Sequence, residues 1–195
     1  ERFSEKEIKR LKKQDTLIVL GDFGFLWNGD KAEKKKLKWL EKRRYQLLFI
    51  DGCHENFDLL KEYPEVDYMG GKARHIGGNL YYIERGSILE IEGKKLLCFG
   101  GAESWDKEDR DEGINWWRAE LPTSEELKTC ADNLEAAGWQ VDYILTHDAP
   151  LKILEFAQLM QGQPNWLHTF FGQIMDKAQY KKWLFGRYHK DRKLG

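Results

Sequence analysis

Four short apolar runs punctuate the chain. The first, Leu17-Ile18-Val19-Leu20, stops abruptly at Gly21. An apolar run bounded by turn residues suits a strand buried on both faces, and the β-branched Ile18 and Val19 favour strand over buried helix. Tyr45 to Ile50, Val141 to Leu145 and Lys182 to Phe185 read the same way. Between these runs the apolar spacing is helical. Glu5 to Lys13 reads as a helix with Ile8 and Leu11 on one face and Ser4 as its cap. Lys31 to Arg44 reads as a second, with Leu37 and Leu40 facing inward, and Asn56 to Tyr63 as a short third, ended by Pro64. Thr123 and Glu126 form a capping pattern that opens a helix running to about Ala137 and stopping at Gly138. Leu151 to Gln161 and Asn165 to Tyr180 give two more.

From Lys72 to Phe99 the period shortens. Ala73–Ile76, Leu80–Ile83, Ser87–Ile91 and Lys95–Phe99 are joined by Gly77-Gly78-Asn79, Arg85-Gly86 and Glu92-Gly93-Lys94, which is hairpin punctuation. The expectation is one α/β domain over 1–195 with an antiparallel segment inside it. Ala102 to Pro122 has no period of either kind, and a loop of that length in a compact domain is usually functional or disordered. It carries Glu103, Trp105, Asp106, Arg110, Trp116 and Trp117, and disordered segments are poor in aromatics. Two readings stand: an ordered loop over a site, or tryptophans packed on the body or on a partner.

Composition narrows the class. The 195 residues suffice for one sizeable core, and a formal net charge of −1 gives no global attraction to nucleic acid or anionic membrane. The basic face of Lys31 to Arg44 therefore reads as a solvated helix face rather than a nucleic-acid patch. Three widely spaced cysteines, Cys53, Cys98 and Cys130, without a CxxC, favour a reducing, cytoplasmic setting. Glu1-Arg2-Phe3-Ser4 lacks an apolar signal region and no run approaches membrane-spanning length, so no membrane partner is expected.

The chemistry sits just past the strands. Asp22, Cys53-His54, His147 and His189 each follow an apolar run. Helical connections let neighbouring strands lie parallel with the same ends together, and ligands bind at the carboxyl ends of such sheets. One Asp, one Cys and three His would then converge on one edge. That donor mix suits Mn, Fe, Zn or Ni better than Ca or Mg. His168, flanked by Leu167, Phe170 and Phe171, reads as a packed helix residue, and His75, inside the meander, as structural.

Gly21-Asp22-Phe23-Gly24, Gly52-Cys53-His54-Glu55, Thr146-His147-Asp148-Ala149-Pro150 and Gly186-Arg187-Tyr188-His189, in that order, resemble the motif series of the calcineurin-like metallophosphoesterases. The resemblance spans nearly the whole chain and implies a four-layer sandwich of two facing mixed β-sheets flanked by helices. It implies metal positions at Asp22, Cys53, His147 and His189 for one or two divalent ions, with hydroxide from an activated water as nucleophile. His54 would assist the leaving group and Glu55 would orient it. The implied substrate is a small phosphomonoester or phosphodiester.

Three departures stand out. The family's opening Asp-x-His is absent, and Glu1 stands just where its strand should have ended, so the natural protein is expected to carry that strand before Glu1. Cys53 replaces a metal-binding Asn; as a thiolate it would favour Zn or Fe, and as a buried thiol it would be inert. Arg187 replaces a metal-binding His. Arg cannot ligate a metal but can bind phosphate bidentately, so it is expected to take over part of the second ion's role, leaving one ion near Asp22 and His189. Beside hydrolysis stand two alternatives. One is a degenerate relative that binds a phosphorylated ligand or partner without turnover. The other is a nuclease or nucleic-acid binder using the loop tryptophans.

Overall fold

A computed structural model describes residues 6–193, so Ser4, the expected cap of the first helix, and the expected strand before Glu1 lie outside the described residues. Among the described residues, nine strands form two mixed sheets. The first holds β1 (Thr16–Leu20), β2 (Gln46–Ile50), β3 (Glu65–Tyr68), β4 (Gly71–Gly77) and β5 (Leu80–Ile83), in the order β1-β2-β5-β4-β3. The second holds β6 (Ser87–Ile91), β7 (Lys94–Phe99), β8 (Tyr143–Thr146) and β9 (Lys182–Phe185), in sequence order. In the first, β1, β2 and β5 are parallel; in the second, β7, β8 and β9 are. The remaining pairs are antiparallel.

Six helices complete the α/β fold: α1 (Lys6–Lys9), α2 (Lys31–Glu41), α3 (Phe57–Lys61), α4 (Ser124–Ala136), α5 (Leu151–Ala157) and α6 (Trp166–Lys177). Several are shorter than their apolar spacing suggests. Asp15 accepts from the backbone of Lys12 and turns the chain ahead of β1, so α1 stops early. Gln158 takes a left-handed conformation and ends α5. The Thr123–Glu126 capping box at α4 is present in full.

Strand alternation partitions the core. Leu47 and Phe49 of β2 point outward to Leu37 and Leu40 of α2 and to Phe57 and Leu60 of α3. Leu48 and Ile50 point inward, where they share a cluster with Ile83 of β5, Leu89 of β6, Leu96 and Cys98 of β7, and Leu145 of β8. Leu97, Phe99 and Ile144 face away from that layer toward Cys130 and Leu134 of α4 and Leu167, Phe171 and Ile174 of α6. The two sheets thus pack on each other, and helices cover the outer face of each. The lysines of α2 at positions 31, 34, 35, 36 and 38 are exposed. No helix among the described residues is long and apolar enough to cross a membrane.

β3 was not among the runs expected from the pattern. Its Glu65 and Asp67 are exposed while Val66 and Tyr68 are half-buried, the alternation of an edge strand. Under the sheet, Tyr82 is almost fully buried and its phenol donates to Asp51 Oδ1 at 3.0 Å. Burial, then the neighbouring Asp51 charge, push this phenol well above its ordinary value. The unfolded chain ionises near pH 10, so this contribution is whole below that pH and is lost as pH rises beyond it. Between pH 9 and 11 the protein is expected to lose about 1.4 kcal/mol more stability than Tyr82→Phe. Urea unfolding at the two pH values measures the difference; equal slopes would mean that Tyr82 ionises freely in the fold.

Candidate metal centre

Three strand ends build one cluster. β1 ends at Leu20, and Gly21 (φ 92°) and Asp22 (φ 49°) follow in left-handed conformations. This turn carries the Asp22 carboxylate beneath the end of β2, where Oδ1 accepts the backbone N–H of His54 at 3.0 Å. β2 ends at Ile50 and delivers Cys53 and His54; β8 ends at Thr146 and delivers His147. The ligand atoms of Asp22, Cys53 and His54 all lie within 4.8 Å of one another. His147 Nε2 stands 3.6 Å from Asp22 Oδ1 and 3.9 Å from Cys53 Sγ. Cys53 Sγ is also 3.2 Å from His54 Nδ1, which in turn is 3.5 Å from Asp22 Oδ2.

Two glycines make the convergence possible. A Cβ on Gly52 would fall 2.1 Å from Asp22 Oδ1 and 2.5 Å from its backbone nitrogen, and one on Gly21 would fall 2.0 Å from His147 Nδ1. Gly52→Ala is therefore expected to push Asp22 out of the cluster and strip bound metal, with an overpacking cost of about 1–3 kcal/mol. Metal content per chain beside a thermal melt checks this; full metal content in a folded Gly52→Ala protein would contradict it.

The second nitrogen of each ring fixes its tautomer. His147 Nδ1 donates to the Leu20 carbonyl at 2.7 Å, so in the neutral ring the lone pair lies on Nε2, facing Asp22 and Cys53. His54 is the reverse. Arg110 Nη2, in the long loop, donates to His54 Nε2 at 3.0 Å, so the proton sits on Nδ1 and points at Cys53 and Asp22. His147 is thus disposed to ligate and His54 to donate.

The surroundings favour positive charge. Burial opposes ionisation of Asp22, yet its hydrogen bond with His54 and the proximity of His147 outweigh it and hold the carboxyl well below its ordinary range. Burial likewise raises the Cys53 thiol, and contacts with His147 and His54 overcome that and lower it. The hydrogen bond to Asp22, then that to Cys53, push His54 upward, while the Arg110 N–H at Nε2 needs a lone pair there, so the contact with Arg110 holds the singly protonated ring. Burial alone would lower His147, but Cys53 and Asp22 raise it to about 9. In this setting protons and a divalent cation compete for the same place.

No protein-family model, curated protein or solved structure matches the chain.

Of the positions singled out in the sequence, Asp22, Cys53, His54 and His147 come together. His189 does not join them: it is exposed, has φ 50°, and belongs to no grouping of three ligand residues among the described residues. Arg187 is engaged elsewhere. Its Nη1 donates to Asp148 Oδ2 and its Nη2 to the Glu103 carbonyl, each at 2.5 Å. Glu55 does not orient His54. Its Oε1 accepts the Phe23 N–H at 2.8 Å, its Oε2 has no hydrogen-bond partner, and burial pushes it up to about 8.

Two supporting networks escaped the sequence reading. Asp148 Oδ1 accepts from Tyr188 at 2.6 Å, and Oδ2 receives Arg187 and, at 3.2 Å, His168 Nε2. Burial would raise Asp148, but His168 and Arg187 hold it at about 2. His168 also accepts the Asn165 N–H at the start of α6, so it is a packed helix residue with a polar task. On the other side, Asp51 pairs with Arg85, which also donates to the Ala119 and Glu120 carbonyls. The long loop lies over the cluster through Arg110, held by Asp106 at 2.7 Å and the Asn115 carbonyl at 3.1 Å. Trp117 packs on the body, edge-on to Trp27 with its indole N–H donated to Asp58, while Trp105 is 72% exposed.

Proposed function

We propose that the protein is a metal-dependent phosphoester hydrolase of the calcineurin-like type, cleaving a small phosphomonoester or phosphodiester. The observation that carries this reading is the meeting of Asp22, His54 and His147 from three strand ends, with the His147 lone pair turned inward. The donors also fit a metal by spacing. At Zn bond lengths of about 2.0–2.3 Å, tetrahedral ligand atoms stand roughly 3.3–3.8 Å apart. Here Asp22 and His147 are separated by 3.6 Å, longer than a good hydrogen bond. Two packed mixed sheets with helices outside each agree with the four-layer architecture of that family.

Asp22 and His147 would hold the ion. When bound, a divalent ion supplies Lewis acidity, acidifying a water and polarising a phosphoryl oxygen. The chain does the rest. Arg110 lies where an incoming phosphoryl group would draw its guanidinium off His54 Nε2. With Arg110 withdrawn, the basicity that Asp22 gives the ring puts a proton on Nε2, ready for the leaving-group oxygen. Asp148, Arg187 and Tyr188 clamp the ends of β8 and β9 and keep His147 in place.

Elemental analysis of purified protein, together with hydrolysis of p-nitrophenyl phosphate and bis-p-nitrophenyl phosphate under added Mn²⁺, Zn²⁺ or Fe²⁺ in turn, tests the reading. Bound metal with turnover supports it. Metal or phosphate binding without turnover would instead select a non-catalytic phosphate binder, and the absence of metal, phosphate binding and turnover together would remove both.

A further inference from the structure

We propose that Cys53 is itself a ligand, making a one-ion centre of Cys53 Sγ, His147 Nε2 and the Asp22 carboxylate that selects Zn(II) or Fe(II) over Mn(II). This rests on the metal-dependent reading above and deepens it. Three protein donors with a fourth position open to water or substrate is the pattern of a catalytic zinc site. A thiolate among them shifts preference to softer ions, whereas a carboxylate and carbonyl set would suit Mn or Mg.

The geometry sets Cys53 apart from the other two cysteines. Its sulfur, in a buried residue, stands 3.2 Å from His54 Nδ1 and 3.9 Å from His147 Nε2, with an Asp22 carboxylate oxygen within 4.8 Å. Cys98 Sγ, by contrast, has only the Leu96 carbonyl at 3.9 Å, and Cys98 and Cys130 are fully buried among apolar side chains. His54 completes the arrangement. Its Nδ1–H points at Cys53 Sγ at 3.2 Å, the second-sphere donor that disperses thiolate charge and fixes the ligand's orientation. Among the described residues neither of the other expected positions adds a donor: His189 is exposed and Arg187 is committed to Asp148 and Glu103.

Metal-free protein loaded with Co(II) gives the test. The unmutated chain is expected to bind one cobalt per chain and show a near-ultraviolet sulfur-to-cobalt charge-transfer band. Cys53→Ser and Cys53→Asn are expected to lose that band, with circular dichroism confirming that both remain folded. A second measurement needs no variant: Zn(II) should protect one thiol from Ellman's reagent, and mass spectrometry should locate it at Cys53. Cobalt uptake with ligand-field bands but no charge-transfer band, or Zn(II) protection of no thiol, would overturn the thiolate ligand and leave the metal-dependent reading standing. No cobalt uptake at all would overturn both.

Discussion

Replacing His54 with alanine is expected to lower turnover by about 10²–10⁴-fold while bound metal is retained. The ring tautomer sets the two histidines apart. Arg110 donates to Nε2, so Nδ1 carries the ring proton and has no lone pair for an ion. His147 has the opposite assignment, its Nδ1–H held by the Leu20 carbonyl. His147→Ala should therefore lose metal and activity together. Metal content and kcat measured on the same preparations separate the two roles. Were His54→Ala to empty the site while turnover per remaining metal stayed constant, His54 would be a ligand and the assignment would be reversed.

Arg85→Met is expected to destabilise the fold by about 3–5 kcal/mol, because it strands a charge inside the protein. Asp51 is fully buried, and Arg85 reaches its Oδ2 through Nη2 at 2.6 Å and Nε at 3.0 Å. The same guanidinium satisfies the carbonyls of Ala119 at 2.7 Å and Glu120 at 3.2 Å. Removing it leaves the buried Asp51 carboxylate with only the Tyr82 phenol and takes a donor from the half-buried Ala119 carbonyl, while the Glu120 carbonyl keeps the Ala102 N–H; stranding that charge costs far more than losing a solvent-exposed pair such as Lys128–Asp132. The double variant Asp51→Leu with Arg85→Met should recover part of the loss, since an apolar pair leaves no charge unmatched. Urea unfolding of the three variants measures this. A single-variant loss below about 1 kcal/mol would show that water replaces the guanidinium.

The strands that carry the centre were legible because each is an apolar run ended by glycine or a polar residue, as at Leu20-Gly21 and Ile50-Asp51-Gly52. That local signal places a residue at a strand end but says nothing of which way its side chain turns. His189 shows the difference. Gly186 passes so close to Leu20 that a Cβ there would fall 2.3 Å from its carbonyl oxygen, and the left-handed turn at His189 then leads the chain outward. Arg85 carries no local sign at all: its partner Asp51 lies 34 residues away, and an isolated arginine after a strand reads as surface. Glu55 sits beside His54 in sequence, yet the backbone aims it at Phe23 on the opposite side.

The spread of the centre over both sheets gives it a meaning in time. Cys53 comes from the first sheet and His147 from the second, 94 residues apart in the chain. Closing so long a loop is entropically slow and contributes to a high contact order, whereas the β6–β7 hairpin joins neighbours in sequence. The ligand set can exist only after the two sheets have docked through the layer of Leu48, Ile50, Leu89 and Leu145. In refolding, backbone circular dichroism should recover first and metal uptake last, so that the ion reports completion of the inter-sheet contact rather than guiding its formation.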